Sequence, residues 1–329
     1  MKDFYEGRIV LVTGGCGFIG SHLVDALLDR GATVRVLGSY SSSGGWGHLE
    51  RYRGSRAMLD VRLGSVADSE FAAYCVQGTE VVFHLAALIG IPYSYVAPRH
   101  YVDTNVGGTL NVLEAVRRYG TGRLVHTSTS ECFGSAQFVP MNESHPLNAQ
   151  SPYAATKVAA DQLVSSYFRS FGTPAVTIRP FNTFGPRQSL RAVIPTVIAQ
   201  ALVGDTIILG AVTPLRDLNP VHNTVQAMLL AGSTPGIDGE LFVVGSGVER
   251  SVSDVVAAVG AHLGRNLRVE TDEQRLRPEA SEVDRLLCDF TKASKLLGYQ
   301  PSVSFESMLG ESIEWMKAVG DTRPHDYAV

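Results

Sequence analysis

"VTGGCGFIG", Val12 to Gly20, is the stretch on which the fold of this chain turns. It continues the apolar run "RIVLVT" and leads into an amphipathic helical stretch from about Phe18 to Arg30. Gly14, Gly17 and Gly20 therefore fall, in the spacing G-x-x-G-x-x-G, at the passage from a first strand into a first helix. Glycines there let the backbone turn tightly and approach a pyrophosphate, which the N–H groups of the helix N-terminus can then hold. The triplet alone is a common structural turn. Its position makes it a predicted dinucleotide site.

Outward from the loop, short apolar strands alternate with helical stretches. "TVRVL" follows the first helix, and a looser segment runs to Gly64. A helix near Asp68 to Val76, the strand "EVVFHLA", a helix from about Asp103 to Tyr119 and the strand "RLVHTS" come next. A helix from Pro152 to Phe171 precedes "AVTIRP". Continuously apolar strands joined by helical crossovers argue an α/β fold with a doubly wound parallel sheet covered on both faces. After Pro180 the rhythm loosens into "FNTFGPRQ", "TPLRDLNP" and "RLRPEASE", with one further strand, "ELFVVGSG", and closing helices near "FESMLGESIEWMKAV". A smaller, less regular C-terminal lobe is expected.

Composition sets the broad class. The 329 residues are 45% hydrophobic and 18% charged, which is a globular balance. A net charge of −4 gives no electrostatic case for nucleic acid or an anionic membrane. Cys16, Cys75, Cys132 and Cys288 are scattered, with no metal-like His/Cys cluster, which suggests free thiols in a reducing compartment. The start, "MKDFYEGRIV", has no signal-peptide core, and no apolar run approaches membrane-helix length. A cytoplasmic location is the expectation.

Two usual partners of a dinucleotide loop are missing. An NAD site commonly has an acidic residue after the second strand to grip the ribose hydroxyls. Here "TVRVLGSYSSSGG" offers Gly38, Ser39 and Tyr40, and after the third strand Ser65 stands where an adenine-facing Asp is sought. No arginine closely follows the second strand to receive a 2′-phosphate. NAD is favoured over NADP.

"SPYAATK" sets Tyr153 and Lys157 four apart at a helix start, on one face. A free tyrosine is a poor base near neutrality. An ammonium one turn away, and a positive cofactor ring, favour its phenolate.

These motifs together resemble the extended short-chain dehydrogenase/reductases, in their nucleotide-sugar epimerase/dehydratase family. "TGGCGFIG", "HLAA" (His84 to Ala87), "NVGGTLNVLEA" (Asn105 to Ala115), "TSTSECFG", "YAATK", "RPFNTFGPRQ" (Arg179 to Gln188) and Arg216-Asp217 carry the resemblance, in family order. It implies a Rossmann domain over 1–180, also taking in about 220–247, and a nucleotide-sugar-binding lobe over 181–329. It implies a cofactor held by Gly14, Gly17, Phe18, Ile19, Gly20, Ser39, Leu85, Ala86 and Ala87, with Asn105, Tyr153 and Lys157. Asn182, Arg187, Arg191, Arg216 and Arg277 match positions near the substrate, guanidinium forks being suited to phosphate oxygens. A homodimer joined through the helices Asp103–Tyr119 and Pro152–Phe171 is also implied, with Val158, Leu163 and Val164 as contributors unless they form a sheet-facing stripe.

The family's chemistry centres on Thr129, with Ser130 and Glu131 following it in "HTSTSECFG". Thr129 would hydrogen-bond the sugar 4-hydroxyl while Tyr153 takes its proton. The Thr-Ser-Glu pattern resembles 4,6-dehydratases, in which the Glu removes the C5 proton as water leaves C6. Glu131 would be that base. UDP-glucuronate decarboxylases share the pattern, a 4-epimerase needs no base at C5, and a non-catalytic NAD-binding sensor would need none of these groups. "SYSSSGGWGHLE" and "LIGIPYSYVAP" look most like the branch that dehydrates nucleotide-linked N-acetylglucosamine on the way to legionaminic-type sugars. Cys132 and Phe133 replace the usual Val-Tyr of that loop, and the lost hydroxyl at Phe133 is expected to alter contacts with the sugar.

Overall fold

Residues 3–54, 58–275 and 278–320 are described by the structure, a computed structural model. Seven parallel strands form the main sheet: β1 (Ile9–Thr13), β2 (Thr33–Ser39), β3 (Leu59–Gly64), β4 (Val81–His84), β5 (Arg123–Thr127), β6 (Ala175–Pro180) and a late strand, Leu241–Val244. Their spatial order runs from Leu241–Val244 through β6, β5, β4, β1 and β2 to β3. The order reverses between β1 and β4, and an open α/β sheet offers its ligand crevice at such a reversal. The central strands β1, β4, β5 and β6 are largely buried because both sheet faces are covered, whereas the edge strand β3 carries Asp60 and Arg62 and is only partly buried.

The helices begin and end where local chemistry dictates. Helix α1 (Phe18–Asp29) ends just before Gly31, whose φ of 75° suits a residue without a Cβ. Asp68 caps α2 (Ser69–Val76) by accepting the Phe71 N–H at 3.0 Å. Two short helical turns, α3 (Ile91–Val96) and α4 (Pro98–Tyr101), lead into α5 (Gly108–Tyr119). The helix expected from Asp103 starts as a wider π-helical turn, Val102–Gly107, before tightening. Ser151 caps the 20-residue α6 (Pro152–Phe171) through the Ala154 N–H at 3.1 Å.

Beyond β6 the chain is more regular than its sequence suggested. Asn182–Phe184, Leu215–Pro220, Glu249–Ser251 and Arg285–Leu286 build a second, smaller sheet, and Thr206–Leu209 pairs with Arg268–Thr271. Helices Val193–Val203, Val221–Ser233 and Val252–Leu263 also form. Strands of two to six residues such as these are too short to show an alternating pattern. One buried cluster runs from β1 and α1 into Val193–Val203, Val221–Ser233 and Phe305–Val319, so a continuous core joins sheet and lobe.

Candidate active site

The glycine loop and the loop after β4 pack backbone against backbone. A Cβ on Gly14 (φ 72°) would lie 2.9 Å from the Ala86 nitrogen, and one on Gly20 would overlap the Gly14 carbonyl. Thr13 fastens the two loops: its hydroxyl oxygen accepts the N–H groups of Leu85 and Ala86, each at 3.1 Å. That hydroxyl lies 2.8 Å from His84 Nδ1, and His84 Nε2 lies 3.1 Å from Thr109, which donates to the Asn105 carbonyl. Burial holds His84 well below its ordinary pKa, so the ring is neutral; it accepts from Thr13 at Nδ1 and donates to Thr109 at Nε2.

Asn105 is buried and turned to the protein itself. Its amide accepts the Leu88 N–H at 2.8 Å and donates to the Leu88 carbonyl and the Thr156 hydroxyl, each at 3.0 Å. It braces the loop bearing Leu85 to Ala87. Helix α1 has neither a side-chain cap nor an acidic residue in its first turn, and its N-cap Gly17 is exposed. An uncapped helix terminus behind glycines that tolerate no Cβ fits a pyrophosphate.

The second strand's end explains its missing acid. A Cβ on Gly38 would stand 2.6 Å from the Cys16 sulfur, so the thiol fills the space beside residue 38. Ser39 and Tyr40 are exposed, and the Ser65 hydroxyl accepts the Ala67 N–H of its own turn at 3.2 Å.

At the other side of the crevice, β5 runs into a 3₁₀ turn, Ser130–Phe133, capped by Thr129. The Thr129 hydroxyl accepts the Glu131 N–H at 3.3 Å and shares a hydrogen bond with Tyr153. Glu131 is half-buried, and its carboxylate makes no hydrogen bond or ion pair among the described residues. Its negative charge nonetheless acts on the Tyr153 phenol. Ser130 is buried within the turn.

Lys157 points at the same place from α6. Its Nζ donates to the Thr127 carbonyl at 2.6 Å, and the side chain is buried. Burial pulls the Lys157 pKa below its ordinary value, and Asp161 opposes that pull. The Tyr153 phenol is pushed upward by burial, with Thr129 acting against the shift and Cys132 and Glu131 adding to it. Burial is the largest of these influences.

The expected substrate residues are unevenly disposed. Asn182 begins the first strand of the small sheet, and its Oδ1 is buried without a partner among the described residues. Arg191 is exposed, makes no ion pair among the described residues, and acts electrostatically on Tyr101, whose ring meets Tyr153 edge-on at 6.3 Å. Arg187 instead pairs with Asp25 of α1 at 2.9 Å and donates to Ser21 at 3.2 Å. Arg216 pairs with Glu282 at 3.2 Å. Arg277 lies outside the described residues. Phe133 is buried under the Arg179 guanidinium, 4.5 Å from the ring centroid, in a cluster with Met141, Phe181 and Val243.

Sequence reasoning missed the charges behind the site. Asp161, one turn beyond Lys157, accepts from Ser128 at 2.6 Å and Arg179 at 2.7 Å and lies 3.1 Å from His126. The i, i+4 spacing from Lys157 was the available signal; Arg179 was visible only as part of "RPFN".

Comparison with known proteins agrees with this geometry. The family model for GDP-mannose 4,6 dehydratase matches residues 11–312. A UDP-glucose 4-epimerase of Mycolicibacterium smegmatis is 33% identical, the match covering 93% of this chain and 98% of the relative. A dTDP-glucose 4,6-dehydratase of an Actinoplanes species is 31% identical over 94% and 98% of the two chains. The solved structure of a dTDP-glucose 4,6-dehydratase from Streptomyces venezuelae, with NAD bound, superposes with a TM-score of 0.84 at 30% identity, covering 94% of this chain and 97% of that one. With the glycine loop, the Tyr153–Lys157 helix and the Thr129 turn converging at one crevice, the chain belongs to the extended short-chain dehydrogenase/reductase family of nucleotide-sugar dehydratases and epimerases.

Proposed function

We propose that this chain is an NAD-dependent nucleotide-sugar 4,6-dehydratase. The observation that carries the reading is Glu131: a half-buried carboxylate, unpaired among the described residues, set in the 3₁₀ turn that Thr129 caps and acting on Tyr153. A site that only oxidises and re-reduces C4 has no use for a carboxylate there.

Gly14, Gly17 and Gly20, the α1 N-terminus, and Leu85 to Ala87 would hold NAD, with Lys157 near its ribose. When bound, NAD would supply the acceptor for the C4 hydride and its donor to C6. Thr129 would hydrogen-bond the 4-hydroxyl, and Tyr153 would take its proton. The positive charge of Lys157 favours the phenolate against the burial that opposes it. The C4 ketone acidifies the C5 hydrogen. Glu131 would remove that proton and deliver it to the departing C6 hydroxyl, so that one water leaves. With the hydride returned to C6, a proton equivalent to the one Tyr153 took would pass back to C5, leaving a 4-keto-6-deoxy sugar with Glu131 and Tyr153 ionised as they began. Asn182, whose Oδ1 has no partner among the described residues, and Arg191 are suited to the polar substrate.

The test is incubation with UDP- or GDP-N-acetylglucosamine and with dTDP- and GDP-hexoses, followed by mass spectrometry. A product lighter by one water supports the dehydratase. The family's epimerase members favour a second reading, because Thr129, Tyr153 and Lys157 suffice for it. An isobaric product across the whole panel would establish that reading, and loss of carbon dioxide from UDP-glucuronate would point to a decarboxylase.

A further inference from the structure

Asp161 is a buried carboxylate of α6, and its four partners sit beside the reacting groups. Ser128, donating at 2.6 Å, lies between Thr127, whose carbonyl receives Lys157, and Thr129. His126, at 3.1 Å, precedes Thr127. Cys132, whose sulfur is 3.8 Å away, follows Glu131. Arg179 of β6 closes the set at 2.7 Å and also donates to Ser128 at 3.3 Å. One carboxylate thus joins the helix carrying Tyr153 and Lys157 to the turn carrying Thr129 and Glu131.

We propose that Asp161 is a positioning residue: it fixes the register between these two elements and supplies the anion that keeps Lys157 charged in a buried site. The proposal rests on the catalytic assignment of Tyr153 and Lys157 above, not on which reaction follows. Three features separate this role from a generic buried ion pair. Among the described residues Lys157 has no carboxylate hydrogen bond of its own; its Nζ bonds a neutral carbonyl. The charged and titratable groups around it are Asp161 on α6, Cys132 on the turn, His126 on β5, His84 on β4 and Tyr153 on its own helix; of these only Asp161 is an ionised acid. Arg179 spends its charge on Asp161 and stacks on Phe133. Burial lowers the Lys157 pKa, and Asp161 is the largest influence raising it.

Replacing Asp161 alone leaves Arg179 buried and unpaired, which destabilises folds. Two variants are therefore needed, D161N and the charge-neutral pair D161N with R179M. The chain has only five lysines (Lys2, Lys157, Lys292, Lys295 and Lys317), so the Lys157 ammonium is resolvable by NMR of protein carrying ¹³C-labelled lysine side chains, assigned by loss of one signal in K157M. In the NAD-saturated protein, the double variant should melt cooperatively while Lys157 titrates about one pH unit or more lower than in the wild type. Coincident Lys157 titrations in wild type and a folded double variant would overturn the proposal and leave Asp161 as a purely structural ion. Turnover on the preferred substrate gives an independent readout: kcat should fall at alkaline pH well before the wild type does, with KM little changed. If no substrate in the panel turns over, the functional reading fails, yet the lysine titration still decides the role of Asp161.

Discussion

Arg187 of the C-terminal lobe reaches back to α1, where its guanidinium sits 2.9 Å from the Asp25 carboxylate and 3.2 Å from the Ser21 hydroxyl. The pair links the helix expected to hold the cofactor with the segment that follows the small sheet's first strand. Arg187 has a φ of 70°, a conformation that costs an ordinary residue energy. The surrounding contacts hold it there.

Removing this link should therefore be measurable. Arg187→Met should lower unfolding free energy by about 1–3 kcal/mol, the loss of charged hydrogen bonds. Burial acts to raise the Asp25 pKa, but the Tyr52 hydroxyl and the Arg187 and Arg51 guanidiniums outweigh it, and the carboxyl lies below its ordinary value. A depressed carboxyl contributes stability above its unfolded pKa of about 3.9 and loses it as pH falls through the folded value. Urea unfolding at neutral pH and below pH ~4 should show the wild-type advantage shrinking in acid. An advantage independent of pH would mean that Arg187 acts through packing alone.

Glu131→Gln is the sharpest test of the proposed chemistry. It should abolish exchange of the sugar C5 hydrogen with deuterated solvent and cut water loss by about 10²- to 10⁴-fold. Because the carboxylate makes no hydrogen bond or ion pair among the described residues, stability should change by less than about 0.5 kcal/mol. Normal turnover with intact C5 exchange would return Glu131 to the status of a loop residue.

Cys16 and Gly38 should behave as a coupled pair. Gly38→Asp alone meets the Cys16 sulfur 2.6 Å from the new Cβ and packs near Leu63 at 3.1 Å. In a Cys16→Gly/Gly38→Asp double variant the carboxylate gains room to face a ribose. That variant should bind NAD more tightly than either single variant and discriminate further against NADP, read by calorimetry. Equal affinity for all three proteins would show that the thiol is not what shapes this end of the site.

A dimer, if it forms through α5 and α6, does not use the whole stripe expected from sequence. Val164 is buried in the sheet-facing core, and Leu163 packs against the same cluster. Leu110 on α5 is 39% exposed and Val158 is half-buried, so these are the available contacts. Leu110→Arg should yield a monomer by light scattering with little loss of stability. Val164→Ala should instead cost about 1–3 kcal/mol without changing the mass. A wild-type monomer would exclude the association altogether.

What the sequence determined by itself is whatever depends on near neighbours along the chain. Strands β1, β2, β4, β5 and β6 were legible because apolar residues dominate strands that are largely buried on both faces, Arg35, His126 and Arg179 notwithstanding. The turn at Gly14 to Gly20, the caps at Asp68 and Ser151, and the shared face of Tyr153 and Lys157 all follow from spacings of a few residues. Only the tertiary structure decided which distant side chains consume each other's charge. Arg187 and Arg216 looked alike as guanidiniums in polar loops, yet they meet Asp25 and Glu282, while Arg191 stays unpaired among the described residues. Asp161 and Arg179 likewise find each other across α6 and β6. A charge's partner is set by three-dimensional packing, and a residue type carries no record of what the fold will bring within 3 Å of it.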